Sequence, residues 1–97
     1  MVIFLSGPMT GYPNYNYEAF YEAEHNLKEK GYIVLNPAAM PLGLERKQYM
    51  PIDLAMIDQS DAICFLPNAK ESVGSNLERA YAAYQEKIFF ENIDEVP

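Results

Sequence analysis

Carboxylates are the only reactive side chains this sequence offers in quantity, with 14 Asp and Glu against 7 Lys and Arg, one histidine and one cysteine. Carboxyl pairs suit the cleavage of glycosidic bonds, where one stabilises or attacks the anomeric carbon and the other handles the leaving group's proton. Two acids stand at positions that need explaining. Asp53 comes three residues after Met50 and four before Ile57, so it borders an apolar helical stripe. It is either an acid in a first helical turn behind Pro51, favoured by the helix dipole, or a carboxyl turned into a pocket. Glu78 follows Gly74 by four residues and Ser75 by three. Ser75 and Glu78 fit an S-x-x-E capping box, yet the same position would also face a ligand crevice.

Two loops complement these acids. Ser72-Val73-Gly74-Ser75, ahead of a helical stretch, has the small residues and glycine of a short anion cradle. Ser6-Gly7-Pro8-Met9-Thr10-Gly11 is comparable, and neither matches the dinucleotide or P-loop glycine pattern. Other chemistries lack their residues. His25, the one histidine, falls mid-helix, which argues against a Ser-His-Asp triad and a histidine-rich metal site. Cys64 sits in an apolar run and should be buried and inert. Arg46 and Arg79 are the only arginines, which limits phosphate clamping to one or two contacts. No metal and no cofactor is expected.

The elements that must position these groups follow from the apolar pattern. Residues 2–5, 32–35, 62–66 and 88–90 are short apolar runs bounded by turn residues, the signature of strands buried on both faces. Between them lie three helical stripes. The first, Phe20, Ala23 and Leu27, is capped by Asn14 or Asn16 and stopped at Gly31. The second is Met50, Leu54 and Ile57, with Pro51 in the first turn; the third is Leu77, Ala80, Tyr81 and Tyr84. The acidic tail from Glu91 is expected to be loosely held. This β-α-β-α-β-α-β order predicts a flavodoxin-like or Rossmann-like three-layer α/β/α sandwich, a parallel sheet of about four strands in the order 2-1-3-4. Ligands of such sheets bind at the carboxyl ends of the strands where the order reverses, which here brings loops 6–16 and 67–74 face to face.

Length and charge bound the rest. The 97 residues fit one domain, spanning 1–97, with a thin stability margin. A net charge of -7 repels phosphate backbones, so nucleic acid is a poor partner, although backbone amides can still hold one mononucleotide. A lone cysteine and the absence of a long apolar run point to the cytoplasm, with no membrane association. The eight tyrosines suit a stacking wall or a self-association surface.

The opening Ile3 to Gly11, the Asp53 to Asp61 spacing, and Ser72-Val73-Gly74 followed by Glu78 together resemble the nucleoside 2-deoxyribosyltransferase superfamily. The likeness runs over nearly the whole chain and is nearest to a small phage and prophage branch sharing the SGPMTG opening. It implies cleavage or exchange of the N-glycosidic bond of a nucleoside or nucleotide, with Glu78 as nucleophile and Asp53 as the acid assisting the departing base. It also implies substrate contacts from Ser6, Gly7, Pro8, Met9, Ser72, Gly74 and Asn76, Ser72 and Gly74 meeting the sugar's 5′ end or its phosphate. Asp61 would be structural. The family places a tyrosine, which orients the glutamate, where Phe4 stands, and a glycine where Asn76 stands. Its monophosphate-specific members carry an arginine in the first loop, which has none here. Relatives assemble as homo-oligomers in which a neighbour completes the pocket. Two alternatives remain: a module that binds or sequesters a nucleotide without cleaving it, and a phosphoribohydrolase acting on nucleoside 5′-monophosphates.

Overall fold

The computed structural model describes all of residues 1–97. Four strands, β1 (Val2–Ser6), β2 (Ile33–Leu35), β3 (Ala62–Phe65) and β4 (Ile88–Phe90), form one parallel sheet in the order β2-β1-β3-β4. The register sets Phe4 against Leu35 on one side and Ile63 on the other, and Ser6 against Phe65. The helices are α1 (Tyr17–Glu29), α2 (Arg46–Asp58) and α3 (Val73–Tyr84).

Side chains alternate across a strand, so the central strands feed two cores. Ile3, Leu5, Ala62 and Cys64 pack with Phe20, Ala23 and Leu27 of α1. Phe4, Ile63 and Phe65 pack on the opposite face with Ile57 of α2 and Ala82 of α3. Ser6 continues the Phe4 face by one more period-two step and reaches the strand end on the α2/α3 side. Burial pushes the Cys64 thiol up to about 11, which keeps it unreactive at neutral pH. No helix is long and apolar enough to cross a membrane.

Four local expectations need correction. Asn16 does precede α1, but with φ 63° and no side-chain cap; its amide donates instead to the Pro8 carbonyl at 3.0 Å. Helix α2 starts at Arg46, where Glu45 and Gln48 form a reciprocal capping box, so Pro51 lies inside the helix rather than in its first turn. The buried face of α3 is Ser75, Glu78 and Ala82, which leaves Leu77 and Tyr84 of the anticipated stripe in solvent. The tail is anchored: Val96 is buried against the α1 core, and Tyr32 Oη donates to the Pro97 carbonyl at 2.7 Å.

Candidate active site

Helices α2 and α3 present matched inner stripes to the same side of the sheet, Met50, Asp53 and Ile57 on one, Ser75, Glu78 and Ala82 on the other. Each has an acid where an amphipathic helix would put an apolar residue. Asp53 is 8% exposed and Glu78 5%. Each carboxyl shifts the titration of the other, which places the two close together. Asp53 is thus too far along α2 for a first-turn dipole contact. The capping box fails too: Ser72 is the N-cap, its hydroxyl accepting from the Ser75 N–H at 3.2 Å, and Glu78 bonds no backbone group of its helix.

Glu78 is held from the sheet. Ser6 Oγ donates to Glu78 Oε1 at 2.6 Å, a buried bond between the end of β1 and the middle of α3. Phe4, by contrast, is wholly buried in the core and offers nothing to the site. No tyrosine hydroxyl of the 6–16 loop bonds Glu78. The serine two residues beyond Phe4 makes that contact, and period-two alternation alone would have marked it as sharing the Phe4 face.

The pair's electrostatics follow from its surroundings. Burial, then the neighbouring Asp53 carboxyl, pushes Glu78 up to about 9, while the Ser6 hydroxyl pulls against them. Burial raises Asp53 as well, opposed by its hydrogen bond with Glu78. Two adjoining buried carboxyls cannot both ionise cheaply, so the pair keeps one shared proton through neutral pH. Asp53 Oδ1 has no partner, an orphaned buried acceptor that a ligand donor would satisfy.

These acids form part of the wall of a cavity of about 560 Å³, within the range that takes small organic ligands. Among the residues singled out from sequence, Gly7, Met9, Asp53, Ser72, Gly74 and Glu78 line it. Ser6 stands behind, reaching it through Glu78. Pro8 is buried and does not line the cavity. Asn76 points away: its amide donates to the Lys70 carbonyl at 3.0 Å and closes the turn before α3. Gly7 is fixed by space, since a methyl there would fall 2.8 Å from Leu66 Cβ. Gly74 is not, since a methyl there would make an ordinary 3.6 Å contact with Met50 Cε.

Composition had marked the tyrosines only as a group. Tyr15, Tyr17 and Tyr49 line the cavity, and the Tyr15 and Tyr17 rings lie 6.0 Å apart. The loop after β2 adds Met40, Leu42 and Leu44, tied down by Tyr49, whose hydroxyl donates to the Pro41 carbonyl at 2.8 Å and accepts from the Leu44 N–H at 3.3 Å. The result is a cavity with an acidic floor, an apolar and aromatic wall, and the first turn of α3 at its edge. It suits a small ligand with an apolar or aromatic face and hydrogen-bond donors.

A family model described as a domain of unknown function, DUF4406, matches residues 1–90. The chain belongs to that family. Among solved structures, this DUF4406 chain is similar to a 2-desoxiribosyltransferase from Leishmania mexicana, with a TM-score of 0.73 at 21% identity. The match covers 91% of this chain and 61% of that one, so the DUF4406 chain spans about three-fifths of the larger protein. The likeness shows a shared fold. No curated protein matches the sequence.

Proposed function

We propose that this DUF4406 protein breaks, or exchanges the base across, the N-glycosidic bond of a nucleoside or nucleotide. The observation that carries the reading is the buried Asp53–Glu78 pair, one carboxyl anchored by Ser6, on the floor of a cavity of ligand size. The two carboxyls shift one another's titration, so they lie closer than the separation that leaves room for the water of an inverting mechanism, which favours direct attack by one carboxylate. With the shared proton carried on Asp53, the Glu78 carboxylate attacks C1′, and the C1′–N bond breaks with its electron pair going to the base. Asp53 delivers the shared proton to a base nitrogen. The products of this half are a glycosyl ester on Glu78 and a neutral free base. Water, or a second base for exchange, then attacks C1′ and gives its proton to Asp53, and the ester pair returns to Glu78. The Ser6 donor supports the reading by stabilising charge on Glu78 as it leaves.

A panel of nucleosides and 5′-monophosphates, read by chromatography of the free base, tests this. Base is expected from at least one substrate, and Asp53→Asn is expected to slow its release by about 10²–10⁴-fold, the usual scale of a general acid. Ligand binding with every substrate recovered intact would leave a binding module in place of an enzyme.

The reading includes self-association. Val73, Leu77 and Tyr84, exposed at 72%, 50% and 85%, recur along one side of α3, starting at the cavity's edge. A second copy of the chain seated there would border the pocket. The wild type is expected to sediment above its 11.1 kDa monomer mass and Leu77→Glu to shift it down. A wild type that stays monomeric removes this part of the proposal.

A further inference from the structure

The protein buries three serines, Ser6, Ser60 and Ser75. Two of them have a use for their proton: Ser6 donates to Glu78 Oε1 at 2.6 Å and Ser60 to the Met56 carbonyl at 2.8 Å. Ser75 does not. It is 2% exposed, and its Oγ has no hydrogen-bond partner. A helical serine can return its proton to the carbonyl four residues back, but here that carbonyl is Glu71's, in the turn ahead of α3, and the bond is not made. A buried hydroxyl left unpaired destabilises a fold, so one that is kept calls for a partner. The other side-chain atom orphaned in this way is Asp53 Oδ1, and both residues line the cavity.

Ser75 stands beside the group to which the glycosidic reading gives the attack. It lies three residues before Glu78 on the buried face of α3, so the two Cβ atoms are about 5–6 Å apart. Side chains lean toward the N-terminus of their helix, which carries the longer Glu78 side chain back over the turn that holds Ser75. A ligand carbon attacked by Glu78 therefore has its neighbours close to Ser75. Nucleoside stereochemistry says which neighbour. Direct displacement approaches C1′ from the face opposite the base, and in a ribonucleoside the 2′-hydroxyl, one carbon away, projects on that same face. It arrives on the α3 side together with Glu78, while Asp53, on α2, is left to the base. A 2′-hydroxyl can accept the Ser75 proton, whereas the methylene of a 2′-deoxy sugar cannot and would seal the orphan in.

We propose that Ser75 recognises the sugar 2′-hydroxyl and makes the substrate a ribonucleoside rather than a 2′-deoxynucleoside. The placement of the sugar rests on the glycosidic reading, whereas the unpaired hydroxyl does not. A site built to bond a substrate hydroxyl discriminates against the analogue lacking it, because the site's own polar atom is then left without a partner. The fold shared with a 2-desoxiribosyltransferase does not oppose this. A common fold carries many specificities, and the side chain at position 75 sets which sugar is accepted here.

Titration calorimetry of the Glu78→Gln protein with adenosine, guanosine, cytidine and uridine, each beside its 2′-deoxy and 3′-deoxy counterparts, tests this. The best-bound ribonucleoside is expected to bind at least about tenfold tighter than its 2′-deoxy form, the scale of one buried hydrogen bond, with the 3′-deoxy form nearer the parent. Ser75→Ala in the same background should erase the gap by weakening the ribonucleoside. Because Oγ makes no bond in the free protein, Ser75→Ala should melt no lower than its parent. A clear drop in Tm would make the hydroxyl structural and overturn the proposal. Equal binding of the ribo and 2′-deoxy forms, a larger loss on removing the 3′-hydroxyl, or no binding by any nucleoside of the set overturns it as well. A Ser75-dependent preference for ribose with no base release from any substrate would keep the hydroxyl site and discard the glycosidic chemistry. Base release from both sugars at equal kcat/KM, indifferent to Ser75→Ala, would do the reverse.

Discussion

Glu78→Gln is expected to cut base release by about 10³-fold or more on the best substrate while leaving the protein folded. The amide keeps the shape of the carboxylate. Its carbonyl can accept the Ser6 hydroxyl at the position where Oε1 now does, 2.6 Å away, and its NH₂ can donate to Asp53. What it lacks is the capacity to form an ester at C1′. The variant therefore separates chemistry from architecture in a way that alanine, which leaves a void and an unpaired Ser6, does not. Single-turnover release of free base, followed by chromatography, is the measurement. Ser6→Ala keeps the nucleophile and removes only its donor, so its loss of turnover should be the smaller of the two. Wild-type turnover by Glu78→Gln would move the nucleophile elsewhere and leave the Asp53–Glu78 contact a structural one.

The architecture was legible because it rests on uninterrupted apolar runs. Residues 2–5 and 62–66 became β1 and β3, and the alternation of runs with helical stripes carried the parallel sheet, whose order β2-β1-β3-β4 is the one expected. The site was harder to read, for a physical reason. On α3 the buried face is Ser75, Glu78 and Ala82, while Val73, Leu77 and Tyr84 look outward. Periodicity finds the apolar face of a helix and assumes it is the buried one. Where a helix turns polar groups inward to build a site, that inference selects the wrong side. The same displacement hid the start of α2, because Arg46, Lys47 and Gln48 carry no apolar signal and Pro51 drew attention to itself as a first-turn residue. Arg46 consequently looked like one of two scattered arginines, and only the fold brings it to the cavity. Asn76 went the other way: the family resemblance put it at the pocket, and its helical phase takes it out to the Lys70 carbonyl.

The burial that prepares Glu78 for chemistry should also make the protein less stable as pH rises. In the unfolded chain the glutamate titrates at its ordinary 4.5, and in the folded protein burial and Asp53 hold it up to about 9. Between those values the folded state keeps a proton that the unfolded state has released, so raising the pH favours unfolding. The contribution is fully present below 4.5 and is lost progressively toward 9. Asp53, raised by the same burial, adds in the same direction. At 1.36 kcal/mol per pH unit, the loss by pH 7 is on the order of 2–3 kcal/mol once the sharing of one proton is allowed for. The Arg79–Glu91 pair does not mask this. It lowers the Glu91 carboxyl, so what little it adds at an exposed site disappears only on acidification below the usual glutamate range. Thermal melts from pH 5 to pH 9 should therefore show the wild-type Tm falling by roughly 10 °C by pH 7 and continuing down, since about 1 kcal/mol moves a domain this small by several degrees. Glu78→Gln removes the titrating group and should flatten the curve, melting above the wild type at pH 8. A wild-type Tm that holds level across this range, or a variant less stable at every pH, would mean that the two carboxyls do not share a buried proton.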